Sequence, residues 1–374
     1  MTDDVPAAIG MPLNEVDTPS LLIDLDAFER NLRRMADITQ QAGIALRPHA
    51  KTHKSPSIAL RQIELGAVGV CCQKVSEAEV MVQGGVQDVL VSNEIVGPKK
   101  LERLAKLARL AHIGVCVDNA ENVAALSEAA SRYQSTLDVL VEIDVGSHRC
   151  GVPAGQPALD LARMVADSPG LRFTGLQSYY GAAQHRRPYE ERREGGNIAA
   201  KLCSETRDLL RSHGLECRTI TGSGTGTYEF EAAAGVCNEL QVGSYIFMDA
   251  DYAKNLARDG APSHAFEQSL FVWTTVMSCL SAEQVAVDAG MKALSVDSGL
   301  PEVDGIDGAE YFDASDEHGK IALRKPNTTV KLGDKWKLIP GHCDPTVNLH
   351  DWYVGIRNDR VEALWPISAR GPGY

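Results

Sequence analysis

The chain has 374 residues, 44% hydrophobic and 23% charged, with a formal net charge of -13. So acidic a surface argues against nucleic acid or an anionic membrane as the main partner, while leaving room for local basic sites that hold a phosphate. Nine cysteines without a C-x-x-C pair point to reduced thiols, and with no signal-peptide pattern and no apolar run of about 18 residues a soluble cytoplasmic protein is expected.

Residues 1–17 read as a loose lead-in. Leu21-Leu22-Ile23 is strand-like, and Asp24 or Asp26 then caps a helix with Leu25, Phe28, Leu32 and Met35 on one face. Short apolar runs next alternate with helical segments, at 45–51, 67–73, 88–93, 113–118, 137–145, 172–180, 218–222 and 240–249. Ser55-Pro56 and Pro98 open helices, and Ser76 with Glu79 and Asp118 with Glu121 are spaced as capping boxes. Eight such units in about 200 residues predict an α/β chain with a (β/α)8 barrel of TIM type at residues 25–260; an open doubly wound sheet is the alternative. Beyond Asp251 the texture changes. Runs at 269–279, 284–288, 335–339 and 352–356, an Asn358-Asp359 turn and a run at 361–365 read as antiparallel strands of a C-terminal β domain over 261–374, with residues 1–24 pairing to it.

In such a barrel chemistry gathers at the carboxyl ends of the strands, and a phosphate commonly binds after strands 7 and 8. Lys51 stands at the tip of the first barrel strand. A lysine kept from water there could hold pyridoxal phosphate (PLP) as a Schiff base, the plain alternative being a solvated surface lysine. After the seventh run comes Gly222-Ser223-Gly224-Thr225-Gly226 and in the eighth Gly243-Ser244-Tyr245, both where a phosphate cradle is expected. Arg149, after the fifth run, could anchor the cofactor's phenolate oxygen; Tyr179 could lie against its ring, with His185 close by. A rim ion pair, core packing and a solvated loop are the bland readings of these three. In the β domain, His342-Cys343-Asp344, if extended, puts His342 and Asp344 on one face and Cys343 on the other, a small open site for a hard or borderline divalent cation or else a hydrogen-bonded pair in a turn.

The blocks Asp17-Thr18-Pro19-Ser20, Arg47-Pro48-His49-Ala50-Lys51, Cys71 to Glu79, Gly222 to Gly226 and His342 to Thr346 together resemble the D-threonine aldolase family, PLP enzymes of the alanine-racemase-like fold type. The resemblance spans nearly the whole chain and implies a PLP-binding barrel plus a β domain, a homodimer, and a divalent metal such as manganese or magnesium. Carried over, Lys51 matches the Schiff-base lysine, Arg149 the arginine beside the phenolate, Tyr179 the ring-facing tyrosine, His185 the proposed catalytic histidine, and His342 with Asp344 the metal ligands; Asp316 falls at an acidic position near that metal. Ser223 departs from a common glycine, and Tyr180 occupies a variable position. The implied reaction is reversible cleavage of a D-β-hydroxy-α-amino acid such as D-threonine or D-allo-threonine to glycine and an aldehyde. The 3-hydroxy-D-aspartate aldolases, which give glycine and glyoxylate, share these blocks. A D-serine dehydratase would resemble relatives with histidine and cysteine at alternate positions around zinc, where this chain has Asp344. An alanine racemase should present a second base, and none matches; a non-catalytic PLP carrier would lack the β domain.

Overall fold

The computed structural model describes residues 5–325 and 329–374; the first four residues of the expected lead-in and 326–328 of the expected β domain lie outside the described residues. β1 (Ser20–Asp24) ends on the residue that starts the first helix. Asp24 accepts a hydrogen bond from the Ala27 N–H at 3.0 Å, satisfying one of the donors a helix start leaves open. α1 (Leu25–Ala42) buries Leu25, Phe28, Leu32 and Met35, the expected stripe, and stops at Gly43, whose φ of 65° is the left-handed cap that a residue without Cβ adopts at low cost.

Strands and helices then alternate through β2 (Ala45–Leu46), α2 (Pro56–Glu64), β3 (Val70–Cys72), α3 (Val75–Gln83), β4 (Asp88–Glu94), α4 (Pro98–Leu107), β5 (His112–Val117), α5 (Ala120–Tyr133), β6 (Leu137–Asp144), a spur β7 (Val152–Pro153), α6 (Gln156–Asp167), β8 (Leu171–Ser178), α7 (Tyr189–Ser212), β9 (Thr219–Gly222), α8 (Tyr228–Ala234) and β10 (Glu239–Leu240). The eight main strands pair in the order β2-β10-β9-β8-β6-β5-β4-β3, all parallel. The sheet curls into a barrel. The N–H groups of Val68 and Cys71 reach the carbonyls of Leu46 and Pro48, each at 2.9 Å, and the Ala50 N–H reaches Cys71 at 2.8 Å. The strand–helix alternation therefore yields the barrel rather than the open sheet.

Two helix starts differ from their expected spacing. Glu77, not Glu79, takes the N–H groups of Gln73 and Lys74, at 2.8 and 3.3 Å, and Glu79 instead pairs with Arg103. Asn119, one residue past Asp118, accepts the Glu121 N–H at 2.8 Å and caps α5, while Asp118 accepts the Gly151 N–H at 3.0 Å.

The second sheet holds β11 (Leu270–Ser281), β12 (Gln284–Val287), β13 (Glu302–Val303), β14 (Ala309–Ala314), β15 (Gly319–Leu323), β16 (Lys335–Ile339), β17 (Trp352–Arg357) and β18 (Arg360–Pro366), with the short α9 (Cys343–Val347) before β17. Its order is β14-β15-β12-β11-β1-β17-β18, and β16 joins β11 to β13. β1 lies in the interior, antiparallel to β11 and parallel to β17. Its period of two divides its apolar residues between two cores: Leu21 and Ile23 pack with Phe28, Met35 and Tyr353 beneath α1, and Leu22 with Phe271, Trp273 and Val354 on the far face.

Segment 342–344 is not a strand. His342 is extended (φ -146°, ψ 125°) and precedes α9, of which Cys343 and Asp344 are the first two residues. Pro345 suits a first helical turn because no N–H is needed there, and Asp344 suits the positive end of the helix, so turn chemistry overrides the alternation.

Candidate active site

The strand ends of the barrel, with Tyr252 beyond β10, line a cavity of about 200 Å³. Lys51 enters it from the loop after β2, and its Nζ stands 3.4 Å from Oδ2 of Asp344 in the first turn of α9. Burial alone would lower the lysine pKa, but the Asp344 carboxylate, with Tyr179, outweighs it and holds Lys51 above its ordinary value. Beside it His49 is kept neutral, first by burial and then by the charges of Lys51, His53 and Arg149. Its Nε2 lies 3.0 Å from Gln73 Nε2 and 3.2 Å from Ser92 Oγ. Gln177 and Gln241 exchange two amide hydrogen bonds, at 3.1 and 2.7 Å, across the cavity floor.

Ser223, Gly224 and Thr225 after β9, and Gly243 and Ser244 after β10, line one end. Two hydroxyls there, Thr52 Oγ1 and Thr225 Oγ1, are buried without a hydrogen-bond partner. A Cβ on Gly243 would come within 2.6 Å of Thr52 Oγ1, so glycine keeps this wall open. Ser223 holds φ at 78°, a conformation costing a non-glycine residue about 1–2 kcal/mol and suited to pointing successive N–H groups at an anion. Unpartnered hydroxyls, open backbone and the Lys51 amine fit the phosphate and aldehyde ends of PLP. Two members of the expected cradle turn away from the cavity. The Gly226 N–H donates to Gln184 Oε1 at 3.0 Å, and the Tyr245 ring lies in the core against Phe266, its hydroxyl receiving a bond from Gln62 at 3.1 Å.

Arg149 stacks its guanidinium 5.5 Å from the Tyr179 ring centre, both on the cavity wall, with Nη2 4.0 Å from Glu142 Oε1. Burial, then the neighbouring Glu94, pushes Glu142 up to about 8. Near it Glu94, Asp118 and Cys150 bring one donor atom each within 4.8 Å of one another. His185 is not on the cavity wall. Its half-exposed ring lies behind Tyr252, centres 5.1 Å apart, and Tyr252 does line the cavity. His185 Nδ1 is 2.6 Å from Asp251 Oδ2, which leaves Nε2 for a proton at the rim.

His342 stands just before α9 and Asp344 in its first turn, with the Asp344 charge felt at the His342 imidazole. His342 Nδ1 lies 2.8 Å from Asp297 Oδ2, and Asp344 Oδ1 is buried with no partner. Burial lowers the His342 pKa, yet Asp344, Asp297 and Asp249 together raise it. By donor type, a carboxylate oxygen without a partner and an imidazole oriented by a second carboxylate would suit a hard or borderline divalent cation. Cys343 points away: it is wholly buried, its Sγ 3.2 Å from the Met248 carbonyl. Asp316 lies in the exposed turn between β14 and β15, where its carbonyl accepts the Lys292 N–H. The acidic companion of His342 is Asp297. The sequence reading missed it, as it did His49, Thr52, Asp251 and Tyr252; of these only His49 and Thr52, flanking Lys51, carried a local signal.

A family model described as "Alanine racemase, N-terminal domain" matches residues 23–251, and one for a serine dehydratase domain matches 269–356. A D-threonine aldolase of Arthrobacter sp. is 50% identical over 98% of this chain and 96% of its own. A 3-hydroxy-D-aspartate aldolase of Paracoccus denitrificans is 47% identical over 99% and 96%. The crystal structure of D-threonine aldolase from Filomicrobium marinum superposes with a TM-score of 0.95 at 51% identity, covering 98% of this chain and 99% of that one.

Proposed function

We propose, for a chain that belongs to the alanine-racemase-like PLP enzymes and within them to the D-threonine and 3-hydroxy-D-aspartate aldolases, that it cleaves D-threonine and related D-β-hydroxy-α-amino acids to glycine and an aldehyde. One observation carries the reading: the Lys51 amine, which lines the barrel cavity, stands 3.4 Å from the Asp344 carboxylate of the β domain. Lys51 would hold the cofactor, with Thr52, Ser223, Thr225 and Ser244 around its phosphate and Arg149 and Tyr179 at its ring. Bound there, PLP supplies an electron sink for the pair released when Cα–Cβ breaks, and a divalent metal on His342 and Asp344, manganese or magnesium by donor type, supplies a Lewis acid.

His185 takes the β-hydroxyl proton at Nε2 while Asp251 holds Nδ1 and so fixes the tautomer. As Cα–Cβ breaks, the hydroxyl carbon becomes the aldehyde, and Cα keeps the electron pair and gains a proton to become glycine. Arg187 grips the same Asp251 through Oδ1 and the backbone carbonyl, the latter at 2.7 Å, which fixes the carboxylate behind the base. A homodimer in the cytoplasm belongs to this reading; light scattering tests the dimer.

The deciding assay offers PLP- and manganese-loaded enzyme D-threonine, L-threonine, D-serine and 3-hydroxy-D-aspartate, and identifies the products. Glycine with acetaldehyde from D-threonine is expected. Glyoxylate formed faster from 3-hydroxy-D-aspartate would favour the second aldolase, which the Paracoccus relative's 47% identity makes the alternative; keto acid with ammonia would replace both by a dehydratase. His185→Ala should lower turnover by about 10²–10⁴-fold with PLP still bound.

A further inference from the structure

We propose that Gln184 is the positioning residue that ties the phosphate-facing loop to the catalytic histidine, so that a properly held cofactor phosphate and a properly aimed His185 depend on one buried amide. The inference rests on the reading above for the roles of that loop and of His185.

Gln184 is fully buried, as are Thr227 and, to 2% exposure, Glu231. A primary amide has two donors and one acceptor oxygen, and here every group is engaged. Oε1 accepts the Gly226 N–H at 3.0 Å; Nε2 donates to the Tyr180 carbonyl at 3.2 Å and to Thr227 Oγ1 at 2.8 Å. Thr227 passes its own proton on to Glu231 Oε2 at 2.9 Å. The amide thereby spans from the end of the β8 exit to both residues that close the Ser223–Gly226 loop. A Cβ on Gly224 would approach Gln184 Oε1 to 2.5 Å, and one on Gly226 the Gln184 carbonyl to 2.3 Å. The loop is laid directly on this side chain, which explains the last glycine of the motif as a backbone contact.

The backbone of Gln184, itself against Gly226, also ties to the segment behind His185. Its carbonyl accepts Asn255 Nδ2 at 2.9 Å, and Asn255 Oδ1 accepts Arg187 Nη1 at 3.0 Å. Arg187 in turn holds Asp251, the partner of His185. His185 is the next residue in the chain, so a shift of the amide displaces both the backbone carrying the imidazole and the carboxylate orienting it. Misplacing a catalytic group by about 1 Å can cost up to about 100-fold in rate.

The test compares Gln184→Ala, Gln184→Glu and His185→Ala by PLP titration of the apoenzyme, followed by absorbance and tyrosine–tryptophan fluorescence, and by kcat and KM at saturating PLP. Gln184→Ala should weaken PLP at least about tenfold and, even when saturated, lose at least about tenfold in kcat with little change in KM. His185→Ala should lose kcat alone. Gln184→Glu keeps the acceptor and, when protonated as a buried carboxyl, regains one donor. Relative to wild type at each pH, its PLP affinity and kcat should therefore recover together as pH falls. Wild-type PLP affinity in Gln184→Ala, or weakened affinity with wild-type kcat once saturated, would overturn the coupling. If Gln184→Ala does not fold, the absence of joint acid recovery in Gln184→Glu overturns it instead. Wild-type kcat in His185→Ala would fault the assigned base and not the loop contact, since PLP affinity of the Gln184 variants reads the latter separately.

Discussion

Replacing Lys51 by alanine should abolish the visible absorption of the lysine-held cofactor together with turnover, because no other amine among the cavity-lining residues stands in its place. The metal pair makes a sharper test. Chelation should remove cleavage while the cofactor absorption persists, and added manganese should restore it. Asp344→Ala should behave like chelated enzyme. Cys343→Ala should keep its metal response and lose about 1 kcal/mol of stability, the scale of one buried heavy atom removed from a packed core; loss of metal dependence in Cys343→Ala alone would reverse the ligand assignment. Lys51, Arg149 and Tyr179 were legible because each follows an apolar run, and in a parallel barrel that alone places a side chain at the mouth. Asp297 was not legible. It meets His342 only through the fold of the β domain, 45 residues away in sequence.

At the scale of elements, β1 and α1 join the two halves of the molecule. Leu21→Ala should cost about 2–5 kcal/mol, since its fully buried side chain packs between α1 and the second sheet. Asp24→Ala should cost only about 1 kcal/mol, the value of one helix cap. Urea midpoints of the two variants should separate in that order. The periodicity of α1 and of the barrel strands could be read directly because each has one environment per face. Capping was read less well: Glu77 and Asn119 lie two and one residues from the expected positions, since several Ser, Asp and Glu residues compete at each helix start and only tertiary contacts decide among them. For His342–Asp344, alternation suggested an extended segment where the structure has a helix start, because three residues are too short for a period to outweigh Pro345.

Across the whole molecule, the end of the barrel opposite the cavity carries a belt of alternating charge. Glu239 and Asp88 flank Arg47, His112 bridges Asp88 and Asp138 at 2.9 and 2.6 Å, and Arg172 pairs with Asp138 and reaches the same imidazole at 3.3 Å. Burial pulls the His112 pKa down, but the two carboxylates outweigh it and raise it. A pKa raised on folding means that protonated His112 stabilises the fold fully below its unfolded value of about 6.5 and loses that effect as pH climbs through the folded value. The thermal midpoint should therefore fall over that rise, and His112→Gln should flatten the fall; an unchanged slope would show that the imidazole is not its source.

The interior place of β1 in the second sheet also bears on how the chain is made. Ser20–Asp24 leaves the ribosome well before its parallel neighbour Trp352–Arg357, which follows about 330 residues and roughly half a minute later at about 10 residues per second. Until β11 (Leu270–Ser281), its antiparallel neighbour, emerges about 250 residues later, the barrel strands can assemble with one another, but Leu21, Leu22 and Ile23 have no sheet to enter and need shelter, either in the nascent barrel's own apolar surface or on a chaperone. Translation that halts between residue 251 and β11 would thus leave the apolar Leu21–Ile23 segment without a sheet, and such truncated chains should be cleared or aggregate even though their barrel strands are all present.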